Sequence, residues 1–175
     1  NPLKWMGKGQ NLTDLFLQVK INGDVALLKI ILKLMKSKEK EKPNSVFNHQ
    51  FIQEKTAGFD AFLEDLDSYT IEELLPQTSL SLSSIEKATT LIIQNERIIV
   101  CWAMGLTQHK NSVDNIREIV NLLLLKGSIG KKGAGTCPVR GHSNVQGDRT
   151  MGIWEKPKEA FLKNLERVFS FSAPR

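Results

Sequence analysis

The sequence predicts an α/β fold, rich in helix and built on parallel strands. Two bulky apolar runs, Leu15–Ile21 and Ile98–Trp102, read as strands, and each passes through a polar loop into an amphipathic helix. A strand–loop–helix unit occurring twice points to a parallel sheet, because parallel neighbours can be joined only by a crossover. The 175 residues, 41% of them hydrophobic and 25% charged, are enough for a domain with a genuine core.

Taken in order, the first strand carries Leu15, Phe16, Leu17, Val19 and Ile21 and stops at Asn22-Gly23. Asp24 then has the chemistry of an N-cap. Leu27, Leu28, Ile31, Leu32 and Met35 follow at spacings of three and four, so one helix face is core. The alternating charges from Lys36 to Pro43 read as a solvated turn or linker. Short helices are expected around Val46, Phe47, Phe51 and Ile52, and again around Phe59, Phe62, Leu63 and Leu66. Thr70 with Glu73 fits a capping box, as does Ser83 with Glu86, and Pro76 is expected to separate the two helices.

Ile98–Trp102 is apolar on both alternating faces, as in a strand buried between helix layers, which would leave Cys101 buried and inert. After the turn Met104–His109, the next helix carries Val113, Ile116, Ile119, Val120, Leu123 and Leu124 on one stripe, with Asn111 as its expected N-cap. Gly127 sits where a left-handed C-terminal cap belongs. His49 reads as a partly exposed structural histidine, and Cys137 has no partner in sequence. Ligands in open α/β sheets bind at the carboxyl ends of strands, so the expected site is a crevice shared by Asn22-Gly23-Asp24 and Gly105–His109.

Composition narrows the function. No apolar stretch is long enough to span a bilayer, no secretory leader is visible, and two cysteines make neither a disulfide framework nor a metal motif. A cytoplasmic, reduced setting follows. The net charge of +5 is distributed unevenly: residues 1–42 and 126–175 are basic, and residues 43–125 are acidic. That is unlike a uniformly basic nucleic-acid binder, and neither nucleic acid nor membrane is expected as partner. The two basic ends suit a small anionic ligand. The opening Asn1-Pro2-Leu3-Lys4, without an initiator Met, suggests a piece of something longer.

Between Lys126 and Gly152 lie 7 of the 12 glycines, interspersed with Lys131, Lys132, Arg140, His142, Asn144, Gln146, Asp148 and Arg149. Glycine serves where backbone must approach a ligand, and Arg, Asn and Gln donors among glycines suit a polar heterocycle or diphosphate. A mobile surface loop is the competing reading of this composition. The common nucleotide fingerprints are absent: there is no G-x-x-x-x-G-K-S/T, and Gly130-Lys131-Lys132-Gly133 follows a helix rather than a strand.

Here a resemblance becomes specific. Cys101-Trp102-Ala103-Met104-Gly105-Leu106-Thr107-Gln108-His109 resembles the W-G-M-G-x-T-Q-H turn of the molybdopterin-containing oxidoreductases, which include formate dehydrogenase, nitrate reductase and dimethyl sulfoxide reductase. Pro138-Val139-Arg140-Gly141-His142-Ser143-Asn144-Val145-Gln146-Gly147 is similar to that family's P-V-R-G-Q-N-N-V-Q-G. Gly23-Asp24-Val25-Ala26-Leu27 is similar to its G-T-D-x-A-L. Order and spacing agree from residue 1 to about 160, and the formate-dehydrogenase-like alpha subunits are the most similar branch.

The resemblance implies a Rossmann-like sheet. Residues 1–140 would be the second part of a molybdopterin guanine dinucleotide-binding domain, and 141–175 the start of a segment crossing to a neighbouring domain. It implies molybdenum (or tungsten) held by two such dinucleotides, with a 4Fe–4S cluster in the parent whose ligands lie outside this stretch. Asp24 matches the acidic residue that accepts from a guanine edge. Met104, Gly105, Gln108 and His109 match the turn against one pterin; Gly141, Asn144, Gln146 and Gly147 match positions beside the other. Arg140 matches the arginine that faces the metal and binds the substrate carboxylate. The parent would be a molybdenum-dependent oxidoreductase passing electrons between a small substrate and a redox partner, and its remaining domains would be the chain's partners; alone, the chain would be inactive. His142-Ser143 replaces the Gln-Asn of formate dehydrogenases beside Arg140, so formate is not carried over as the substrate. The alternative is a stand-alone nucleotide-binding or regulatory module without catalysis.

Overall fold

The computed structural model describes residues 12–153 and 155–174. The chain divides into two compact units between Val139 and Arg140. The first contains helices α1 (Asp24–Glu41), α2 (His49–Lys55), α3 (Phe59–Asp67), α4 (Ile71–Thr78) and α5 (Leu82–Gln94). These precede strand β1 (Ile99–Trp102), the short α6 (Met104–Thr107), α7 (Ser112–Leu125) and strand β2 (Gly135–Pro138). The second contains α8 (Val145–Thr150) and α9 (Glu159–Phe169).

Helix α1 is the centre of the first unit, packed on by α3, α4, α5 and α7. Its apolar residues explain this: Ile30, Leu32 and Met35 are fully buried, and Ala26 and Ile31 nearly so, which is more than one face. They meet Leu66 of α3, Leu74 of α4, Ile85 of α5, and Ile119, Leu122 and Leu123 of α7 in one continuous core. Burying each such aliphatic side chain contributes roughly 2 kcal/mol, so this cluster is the main stabilising contact of the unit.

The charged run after Met35 differs from its expected role as a linker. Helix α1 continues to Glu41, and Lys36 and Glu39 are buried. Lys36 Nζ reaches Asp67 Oδ2 at 2.6 Å, and the Glu39 carboxylate accepts from the backbone N–H of Asn44, Val46 and Phe47. Lys29, likewise buried, is held between Asp65 (2.8 Å) and Glu118 (2.9 Å) with its ammonium over the Tyr69 ring. Burial alone would depress the Lys29 pKa; hydrogen bonds to Asp65 and Glu118 more than offset that and leave it raised. These pairs are why a helix with so many charges can be central.

Other elements follow local signals closely. Thr70 and Glu73 form the complete capping box at the start of α4, and the Thr70 bonds lower the Glu73 pKa. Pro76 lies inside α4 instead of separating helices; the break falls at Ser79, whose φ is 59°. Ser81, two residues earlier than expected, caps α5 by accepting from Ser84 N–H. The Asn111 side chain makes no cap hydrogen bond, although Asn111 holds the N-cap position of α7. At the other end of α7, Gly127 has φ +60°, Ser128 N–H bonds Leu123 O at 2.8 Å, and Gly127 N–H bonds Leu124 O at 3.0 Å. That is a complete Schellman motif.

The sheet is parallel but small. β1 pairs with β2 in the register Ile99 to Gly135, Val100 to Thr136, Cys101 to Cys137 and Trp102 to Pro138, with α6 and α7 in the crossover. β2 was not foreseen. Conversely, Leu15–Ile21 forms no strand among the described residues. Its side chains alternate in exposure as an extended segment's do, yet apart from local turn bonds (Val19 N–H to Leu17 O, Gly23 N–H to Lys20 O) its backbone reaches Thr78 O, through Lys20 N–H at 3.0 Å, and no strand. Period-two patterning reports an extended chain with a drier face; a strand also needs a neighbouring ladder. β1 is likewise not buried on both faces: Val100 and Trp102 pack on the core, while Ile99 and Cys101 face outward and are exposed.

Helix α7 also differs from its expected stripe. Asn115, Glu118, Ile119, Leu122 and Leu123 are buried, whereas Val113, Ile116 and Val120 line an open apolar groove of about 390 Å³ together with Thr107 and Arg117. The core takes Ile119 and Leu123 of the expected stripe together with the adjoining Asn115, Glu118 and Leu122, and leaves the Val113 edge of the stripe to the groove. No helix among the described residues is long and apolar enough to cross a membrane.

Candidate cofactor-binding site

Four of the expected site residues fall in one turn at the carboxyl end of β1. The chain leaves Trp102 through extended Ala103 into α6, and Gln108 N–H closes on Met104 O at 3.0 Å. The Gln108 amide nitrogen donates to Met104 Sδ at 3.8 Å, so these two side chains lie together. Met104 is exposed, and nothing stands within 4 Å of where a Cβ on Gly105 would be. The glycine is therefore not demanded by the chain's own packing. His109 is half-buried; its Nδ1 is shut off from solvent and finds no partner among the described residues. A shielded ring nitrogen without a hydrogen bond is costly, which makes this atom a natural contact for an outside group.

Asp24 lies elsewhere in the unit, as the first residue of α1. The N-cap is Gly23, so Asp24 does not cap as expected; it sits in the first turn, where a carboxylate favours the helix dipole. Its half-buried carboxylate makes no hydrogen bond or ion pair among the described residues. Gly23 itself is buried, and a Cβ there would fall 2.5 Å from Gln77 O and 3.0 Å from Lys20 O. The crevice expected between Asn22–Asp24 and Gly105–His109 assumed a strand before each; the first strand is missing, so that reasoning loses one of its two walls.

The remaining expected residues, Arg140, Gly141, Asn144, Gln146 and Gly147, open the second unit. Arg140 is exposed and donates through Nη2 to Gln146 Oε1 at 3.1 Å. Asn144, at φ 57°, starts α8 and lays its side chain across the Cα of Gly147, where any Cβ would collide with it. A side chain at Gly147 would have to displace the Asn144 side chain, so the two motif residues pack on each other.

One pair escaped the sequence reading altogether. Cys101 and Cys137 are register partners on β1 and β2, both exposed and both free. Only recognition of Gly135–Pro138 as a strand could have shown this, and four residues including Gly and Pro carry no strand signal.

No family model matches the chain. It is 43% identical over 97% of its length to an uncharacterized oxidoreductase of Mycobacterium tuberculosis, of which it covers 22%. It is 39% identical over 99% of its length to protein YdeP of Escherichia coli (24% of that protein), and 30% identical over 81% to formate dehydrogenase H of Escherichia coli (19%). The chain thus spans about a fifth of the length of the curated relatives it matches. Acetylene hydratase from Pelobacter acetylenicus superimposes with a TM-score of 0.60 over 70% of this chain and 16% of its own, at 20% identity, a likeness of fold. The motifs and these matches agree, and the chain belongs to the molybdopterin-containing oxidoreductases, in their formate-dehydrogenase-like branch.

Proposed function

We propose that this chain is the part of a larger oxidoreductase that grips a molybdopterin guanine dinucleotide, in a bis-dinucleotide molybdenum (or tungsten) centre, and presents Arg140 to the substrate. Residues 1–140 serve as the second part of the dinucleotide-binding domain, and 141–175 begin the crossing to a neighbouring one. The observation that carries this reading is the turn Met104–His109: a polar turn at the carboxyl edge of a parallel strand, with a shielded His109 Nδ1 that has no partner among the described residues. The Asp24 carboxylate, without a partner among the described residues, suits the paired N–H donors of a guanine edge.

When bound, the cofactor supplies a metal that changes oxidation state and passes electrons between a small substrate and a redox partner. The chain's own contribution is binding and orientation. The His109 imidazole makes a directional hydrogen bond to the polar edge of the pterin, and Gly105 lets a flat ring approach the backbone. The Arg140 guanidinium, steadied by Gln146, supplies a planar fork for an anionic substrate. The electron partner, any iron–sulfur cluster and the remaining partner domains lie beyond this stretch, and the setting is cytoplasmic.

Metal and pterin analysis of the full-length protein tests this. Molybdenum or tungsten with a guanine-containing pterin supports the reading, and Asp24→Ala and His109→Ala each lower occupancy. A full-length protein that folds and carries no pterin, or full loading in both variants, overturns it.

A further inference from the structure

Cys101 and Cys137 stand opposite each other in the parallel register of β1 and β2. Paired residues of a parallel sheet project to the same face, and neighbouring strands lie roughly 4.8 Å apart, inside the Cα separation of roughly 4.4–6.8 Å that a disulfide spans. That face is the outer one: Ile99 and Cys101 of β1 and Cys137 of β2 are exposed, while Val100 and Trp102 point into the core. Hydrogen bonding with the Cys137 thiol raises the Cys101 pKa.

We propose that Cys101 and Cys137 form a redox-active cross-strand dithiol, closed to an intramolecular disulfide by exchange with a low-molecular-weight disulfide. The thiolate of one of the two cysteines attacks one sulfur of the small disulfide, whose S–S bond breaks, giving a mixed disulfide and releasing one small thiolate. The other cysteine then gives up its proton and attacks the protein sulfur of the mixed disulfide, breaking the mixed bond, forming the protein disulfide and releasing the second small thiolate. Two protein thiols lose two electrons and two protons, and the small disulfide gains both. Register and exposure make the two cysteines equivalent for the first attack. The placement gives the switch a target, since Cys101 lies three residues before Met104 and Cys137 three before Arg140. A covalent link there ties β1, which leads into the Met104–His109 turn of the proposed site, to β2. The dithiol itself stands on the register and exposure alone and does not depend on the cofactor reading.

The test is incubation of the purified protein with oxidised glutathione, read by intact mass and peptide mapping under thiol-blocking conditions. Wild type is expected to lose both free thiols, gain a Cys101–Cys137 link and retain no glutathione. Cys101→Ser and Cys137→Ser are each expected to stop at a stable glutathione adduct on the remaining cysteine. Phenylarsine oxide, which bridges paired thiols, should block the reaction in wild type alone. Stable glutathione adducts on both cysteines of wild type, cross-links between chains, or two unreactive thiols would each overturn the proposal.

Discussion

Glu39 Oε1 and His49 Nε2 lie 2.7 Å apart, joining the last full turn of α1 to the first residue of α2. The same carboxylate accepts three backbone N–H bonds from the connecting segment, so one buried side chain organises the whole turn after α1. Burial alone would raise the Glu39 pKa. The hydrogen bond from His49 and those from Phe47, Val46 and Asn44 outweigh it and bring the pKa down from 4.5 to about 2.

A pH dependence follows. A carboxylate held below its unfolded value stabilises the fold fully above that value, and the contribution disappears as pH falls through the folded one. The window is therefore about pH 4.5 down to 2, and the loss amounts to as much as about 3 kcal/mol. Urea denaturation of wild type should weaken through this window, whereas Glu39→Gln should be less stable at neutral pH and show a flatter acid limb. Parallel curves for the two proteins would remove Glu39 from the account of the turn.

How much could be read in advance differs by element for physical reasons. Some signals confined to one turn of chain were legible, the Thr70–Glu73 box and the Gly127 cap, whereas others missed by a residue or two: Gly23 holds the N-cap position expected of Asp24, and Ser81 caps α5 in place of Ser83. Lys36 and Glu39 were misplaced because a charge run says nothing about the partners waiting on other helices, Asp67 and His49 among them. Leu15–Ile21 and Gly135–Pro138 failed in opposite directions for one reason. A strand is defined by its neighbour, and neither propensity nor period reveals one. In the proposed site, the motifs located the Met104–His109 turn; the shielded His109 Nδ1 and the Arg140–Gln146 bond needed coordinates.

Lys29 should be among the most sensitive charged positions. Replacing it by Ala strands Glu118, which is only 8% exposed, and removal of one partner of a buried pair typically costs about 3–5 kcal/mol. Asp65 is more than half exposed, so Asp65→Ala should cost far less, about 0–1 kcal/mol. Lys29→Met combined with Glu118→Leu should recover most of the loss. Denaturant midpoints of wild type and the three variants check this; equal losses for Asp65→Ala and Lys29→Ala would show that the Glu118 arm is not the important one.

Gly23 should reject side chains through contact. Its φ is −87°, which any residue adopts, yet a Cβ would press on Gln77 O and Lys20 O, both backbone atoms that cannot rotate away. Gly23→Ala should therefore destabilise by roughly 1–3 kcal/mol, the usual range for overpacking. Gly130→Ala is the control: φ is +75° but the surrounding space is open, so only left-handed strain remains, about 1–2 kcal/mol. Thermal melts distinguish the two mechanisms when each is repeated with Ser and Val. The loss at Gly23 should grow with side-chain size, and any size dependence at Gly130 should be much weaker.

Arg140 and Gln146 give the sharpest functional test, because the hydrogen bond between them separates positioning from charge. Arg140→Lys in the full-length protein keeps a cation but loses the planar fork, so turnover should fall while molybdenum content stays near that of wild type. A bidentate, charge-assisted contact contributes about 1.5–3 kcal/mol, so the expected fall is roughly 10- to 100-fold. Gln146→Ala leaves the guanidinium in place and frees it to rotate; its effect should be smaller, and Gln146→Asn, one methylene shorter, should not restore the bond. Gln146→Glu is the informative variant. A carboxylate 3.1 Å from Nη2 would occupy the guanidinium in place of an anionic substrate, raising KM more than it lowers kcat. If Gln146→Glu instead leaves KM unchanged, Arg140 does not meet the substrate's negative charge. Its hydrogen bond to Gln146 would then be a brace within the loop, like the contact of Asn144 with Gly147.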